Sequence, residues 1–90
     1  MIKEDVVLQN ETGLHARPAS IFVKEASKFK SEIKLFKDEK EYNAKSIMGL
    51  LSMGAAKGEK ITIQANGEDE ETAVKTLVEL VNNKRLGGFK

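Results

Sequence analysis

The only histidine in this chain, His15, follows a Gly13-Leu14 pair and precedes the only proline by three residues, in the stretch TGLHARPAS (residues 12–20). An imidazole nitrogen is a nucleophile able to carry a covalent intermediate. Arg17, two residues on, brings a planar guanidinium fork that matches phosphate oxygens. If a helix begins just after His15, its first turn offers N–H donors and the positive end of the helix dipole to an anion held on the ring. Ala16 would supply backbone to that cradle. Pro18 has no N–H to give, but its fixed φ stiffens the turn. Glu11 is the nearest acid and a candidate to orient the ring, yet no second histidine and no relay acid completes a triad. The chemistry that fits is accepting and passing on a phosphoryl group.

A second hydroxyl-bearing position stands at Ser46, in KSIMGLLSMGAAKG (residues 45–58). Serine is a favoured helix N-cap, worth about 1 kcal/mol, and that role is expected whatever else it does. A phosphate added there would sit at a helix start beside Lys45, a position that favours negative charge. Behind it, Ile47, Met48 and Leu51 are too many apolar residues for so short a helix to turn inward. With Gly49 opening the surface between them, they are expected to form an exposed docking patch.

These positions need elements to hold them. Residues 2–8 alternate, with Ile2, Val6 and Leu8 on one face and Lys3 and Asp5 on the other, which predicts a strand. From residue 16 the period changes to three and four through Ala19, Phe22, Ala26 and Phe29, predicting a helix whose start Pro18 fixes. Ser20 and Lys24 lie off its apolar face. Residues 31–37 alternate again and turn through DEK into a brief second strand, EYNA. Gly49 and Gly54 keep the helix after Ser46 short. KITIQA (residues 60–65) is a strand with Ile61, Ile63 and Ala65 on one side. NGEDEE then places acid at the start of a last helix, whose stripe runs through Ala73, Val74, Leu77, Val78, Leu80 and Val81. Lys84 and Arg85 close it before Leu86-Gly87-Gly88.

The predicted order is therefore β-α-β-β-α-β-α. It is an α+β fold in which three helices cover one face of a four-stranded antiparallel sheet. The other face should stay wet, as Lys3, Asp5, Lys34, Thr62 and Gln64 suggest.

Composition narrows the function. Ninety residues make one domain, 1–90, with one modest core. Hydrophobic residues are 40% and charged residues 32%, as in ordinary globular chains. Fifteen basic against fourteen acidic side chains give a net charge of +1. That balance argues against direct nucleic-acid binding, which would need a basic stripe with interleaved aromatics. With no cysteine, disulfides and thiolate metal sites are excluded, and no metal or other cofactor is expected. The N-terminus does not read as a signal peptide, and no apolar run approaches the roughly 20 residues that span a bilayer. A cytoplasmic monomer without membrane insertion is the expectation. A free-standing hydrolase lacks its second catalytic group.

Both quoted stretches, their separation and the chain length resemble the histidine-containing phosphocarrier (HPr) family of the phosphoenolpyruvate-dependent sugar phosphotransferase system, in its Gram-positive form. The resemblance spans essentially the whole chain. It implies an open-faced β-sandwich. It also implies that His15 is phosphorylated on Nδ1 by phospho-enzyme I, that Arg17 steadies the phosphate, and that the group passes to IIA domains of sugar permeases. Members of the family are carriers and not enzymes. By the same resemblance, Ser46 is the target of HPr kinase/phosphorylase and, once modified, signals carbon catabolite repression through a repressor. The patch of Ile47, Met48 and Leu51, with Lys45, Ser20 and Lys24, would receive partners. Gly49 stands where some relatives carry a basic residue. A mainly regulatory module acting through phospho-Ser46 is the alternative, although the regulatory paralogue of this family lacks the active histidine that His15 provides here.

Overall fold

The computed structural model describes residues 1–9 and 13–82. Glu11 and Thr12, the expected closing residues Lys84 and Arg85, and Leu86-Gly87-Gly88 lie outside the described residues.

The elements follow the expected order: β1 (Ile2–Val7), α1 (Ala16–Ala26), β2 (Glu32–Lys37), β3 (Lys40–Asn43), α2 (Ile47–Met53), β4 (Lys60–Asn66) and α3 (Glu70–Asn82). The sheet is antiparallel with strand order β1-β4-β2-β3. Its centre is β4, in register with β1 (Val6 opposite Ile61) and with β2 (Leu35 opposite Ile63). Val6, Ile33, Leu35, Ile61, Ile63 and Ala65 point to one side. There they join Phe22 and Ala26 of α1, Leu50 and Met53 of α2, and Ala73, Leu77 and Val81 of α3 in a single core. At about 25 cal/mol per Å² of apolar surface removed from water, this burial is the main force holding helices to sheet.

The opposite sheet face is uncovered and polar. Thr62 donates to Asp5 at 2.6 Å, Lys34 pairs with Glu41 at 3.1 Å, and the Lys3 ammonium stands 5.8 Å from the Phe36 ring centre. This is the wet face that the alternation predicted.

Two boundaries differ from the periodicity. Leu8 lies beyond β1 yet is buried, because its N–H donates to Glu59 O (3.0 Å) and its carbonyl accepts from Gly58 (2.8 Å), prolonging the ladder past the strand. Phe29 falls outside α1. The helix tightens after Ala26 through bonds from Lys28 N–H to Glu25 O (3.1 Å) and Phe29 N–H to Ala26 O (3.2 Å), the i to i−3 pattern common at helix ends. Phe29 still packs on the core from that turn.

Candidate functional site

His15 is the N-cap residue of α1, with extended backbone (φ −79°, ψ −172°), and its carbonyl accepts from Ala19 N–H at 2.8 Å. The imidazole is exposed and makes no capping bond to the first turn. The amides of Ala16 and Arg17 have no acceptor within the helix. Pro18 occupies the third helical position, where its missing N–H breaks no helical bond, and its ring is buried. Arg17 is exposed, and among the described residues no carboxylate pairs with it. A bare guanidinium and an uncapped helix start therefore flank an exposed imidazole. That combination favours an anion on the ring.

The segment leading into His15 is seated on the loop after α2. Leu14 N–H donates to Ala55 O at 2.9 Å. Gly13 has φ +60°, and a Cβ there would overlap the Ala55 carbonyl and come within 2.7 Å of Ala56 Cα. Glycine is required both by the positive φ and by this close approach. The result is a shallow depression of about 280 Å³ lined by Leu14, His15, Ala16, Leu51, Gly54, Ala55 and Ala56. It joins His15 to Leu51 of α2. Leu14 and the 54–56 backbone were missed by reasoning from side-chain chemistry, because their contribution is shape; the run of small residues GAAKG was the available signal.

On α2, Leu50 and Met53 face the core, leaving Ile47 (42% exposed), Met48 (75%) and Leu51 (37%) as an apolar ridge. Ser46 is the N-cap as expected, its Oγ accepting from Gly49 N–H at 3.1 Å. A Cβ on Gly49 would lie 3.2 Å from Asn43 O, so the small residue lets α2 start tight against the end of β3. Lys45 is half-buried, and its ammonium donates to Phe29 O at 2.7 Å, bracing the turn that follows α1. Ser20 and Lys24 are exposed on α1. Among the described residues, no group of three His, Asp or Glu side chains is placed to hold a metal ion.

Comparison with known proteins shows the family. The family described as "PTS HPr component phosphorylation site" matches residues 2–83. The chain belongs to the HPr family. It is 43% identical to the phosphocarrier protein HPr of Neisseria meningitidis over 82 residues, covering 91% of this chain and 92% of that one. It is 45% identical over 84 residues to the HPr-like protein Crh of Bacillus subtilis, covering 93% and 99%. A crystal structure of HPr from Thermoanaerobacter tengcongensis superposes with TM-score 0.91 at 50% identity over 93% of this chain and 94% of that one. A dimeric HPr crystal structure from the same organism superposes with TM-score 0.76 at 48% identity over 97% and 99%. The β-α-β-β-α-β-α order and open sheet are the HPr fold, and the chain is a phosphocarrier of the phosphotransferase system and not an enzyme.

Proposed function

We propose that His15 accepts a phosphoryl group from phospho-enzyme I and passes it to the IIA domains of sugar permeases. An imidazole nitrogen lone pair forms the P–N bond as the donor's bond to phosphorus breaks, and the departing group keeps that electron pair. Resemblance to the family makes Nδ1 the attacking atom. Arg17 and the amides of Ala16 and Arg17 then hold the phosphate oxygens, while the buried Pro18 ring keeps the turn rigid. The observation that carries this reading is the exposed His15, its ring not engaged in capping, sharing one depression with Leu51 of the exposed α2 ridge. Phosphate acceptor and docking surface are thus adjacent, as a carrier served by successive partners needs.

Ile47, Met48 and Leu51 form the apolar centre of that docking surface, with Ser20, Lys24 and Lys45 around it. The chain works in the cytoplasm as a monomer, binds no nucleic acid directly and does not insert into membranes. Among the described residues no helix is long and apolar enough to cross a membrane. The HPr of Thermoanaerobacter tengcongensis forms a dimer in one crystal structure, so light scattering after sizing chromatography is the check on the monomer.

A regulatory role through Ser46 is the second reading, favoured by one observation: its hydroxyl stands at the head of the helix that carries the ridge. HPr kinase/phosphorylase would modify it, and a catabolite-control repressor would read the modified form. Transfer of labelled phosphate from phosphoenolpyruvate through enzyme I and this chain to a IIA domain tests the carrier role. Label that reaches this chain and goes no further would leave the regulatory reading.

A further inference from the structure

The loop under His15 is itself anchored from behind. Lys37, at the end of β2, is largely buried, its side chain 16% exposed. Its ammonium donates to Met53 O at 3.3 Å, at the C-terminal end of α2, and stands 3.4 Å from Glu59 Oε1 and 3.9 Å from Asp38 Oδ2. The same Glu59 oxygen accepts from Ala56 N–H at 2.7 Å, and Glu59 N–H donates to Ala56 O at 3.0 Å. One ammonium thus joins the last turn of α2 to the carboxylate that closes the 56–59 turn. From Ala55 the path continues to the Leu14 amide, one residue before His15.

We infer that Glu59, oriented by Lys37, is a positioning residue for phosphoryl transfer: it fixes the 54–56 backbone that sets His15 relative to α2. The inference rests on the carrier reading above. A partner seated on α2 must bring its phosphorus into line with one nitrogen of a ring on a different element. The 54–56 backbone is the shared wall between them. Play in that wall misaligns the ring without removing any docking contact. Misplacement on the order of 1 Å costs up to ~100-fold in rate, so partial loosening should cost about tenfold.

The expected signature is a split between kcat and KM. With enzyme I and phosphoenolpyruvate, and with the carrier as varied substrate well below its melting temperature, Glu59→Ala should lower kcat about tenfold and leave KM within about twofold of wild type. Glu59→Gln keeps an oxygen for the Ala56 amide and should restore most of kcat. Lys37→Met should fall between the two. In amide-resolved NMR spectra, Glu59→Ala should shift the Leu14 and Ala16 signals while those of Phe22 to Ala26 stay in place. A Glu59→Ala kcat within twofold of wild type overturns the positioning role, as does an unmoved Leu14 amide. If the wild-type chain itself accepts no phosphate, the carrier reading fails first, and this inference with it.

Discussion

At the residue scale, the proposed chemistry rests on a few side chains whose types stand out in the sequence. His15, Arg17, Pro18 and Ser46 drew attention because each is rare or positionally constrained, and the structure puts His15 and Ser46 at helix N-caps, the positions that the proposed chemistry requires. Arg17→Ala should still accept phosphate but slow transfer about 10- to 100-fold, the loss of one charge-assisted contact worth roughly 1.5–3 kcal/mol. Wild-type transfer kinetics in that variant would remove Arg17 from the site. Backbone conformation was less legible. The turn between β2 and β3 holds both Asp38 (φ 53°) and Glu39 (φ 68°) in the left-handed region, a two-residue turn in which glycine or asparagine is preferred. The residue letters DE gave no sign of it. Glu39→Gly should raise stability by about 0.5–1 kcal/mol, read from urea unfolding, because it relieves the Cβ clash of that region. Unchanged or lower stability would show that the chain absorbs the strain elsewhere.

At the element scale, the period of the apolar residues located β1, α1, β2, β4 and α3, while the DEK turn pointed to β3 and Ser46 with the two glycines to the short α2. It misjudged ends wherever backbone bonds decided them, at Leu8 beyond β1 and Phe29 beyond α1. The division of α2 into an inward and an outward face makes a sharp comparison. Leu50→Ala should cost about 2–5 kcal/mol of stability. Met48→Ala, removing a side chain that is 75% exposed, should leave the melting temperature nearly unchanged and weaken enzyme I binding. The reverse ordering would place the docking surface elsewhere. The start of α3 carries a further contact that no periodicity shows. Asp69 accepts from the Ser31 hydroxyl and from the Lys30 and Ser31 amides (2.9 Å each), tying α3 to the start of β2. The Ser31 hydroxyl, then the Lys30 amide, holds its carboxyl below the ordinary value of 3.8. The Gly67 amide, then the N-terminal ammonium, holds Glu70 below 4.5. A carboxylate with a lowered folded-state pKa stabilises the fold fully above its unfolded value, and that contribution is lost as pH falls through the folded value. The melting temperature should therefore drop once pH falls below the ordinary carboxylate range. Asp69→Asn should melt lower at neutral pH and show a shallower acid decline, and parallel curves would dismiss the contact as a source of acid sensitivity.

At the scale of the whole molecule, the sheet serves mainly as a platform, and the proposed working surface is the place where α1, α2 and the 54–56 loop meet. That meeting was only hinted at in the sequence, by the small residues of GAAKG, because it depends on how a glycine at 13 and the 54–56 backbone touch. Under the proposed function it would also place both candidate phosphorylation positions, His15 and Ser46, beside one docking surface. A phosphate on Ser46 would add close to two negative charges beside the docking ridge, opposing a partner that itself carries phosphate. Ser46→Asp should accordingly slow His15 phosphorylation chiefly by raising KM, with the deficit shrinking as salt rises; equal rates at low salt would reduce Ser46 to a helix cap. The central claim, that His15 is the phosphoryl acceptor, is tested most directly by incubating the wild-type chain and His15→Ala with enzyme I and phosphoenolpyruvate, then weighing each by mass spectrometry under neutral conditions. One acid-labile phosphate is expected on the wild-type protein, located on residue 15, and none on a normally folded His15→Ala protein. Equal phosphorylation of both would contradict it.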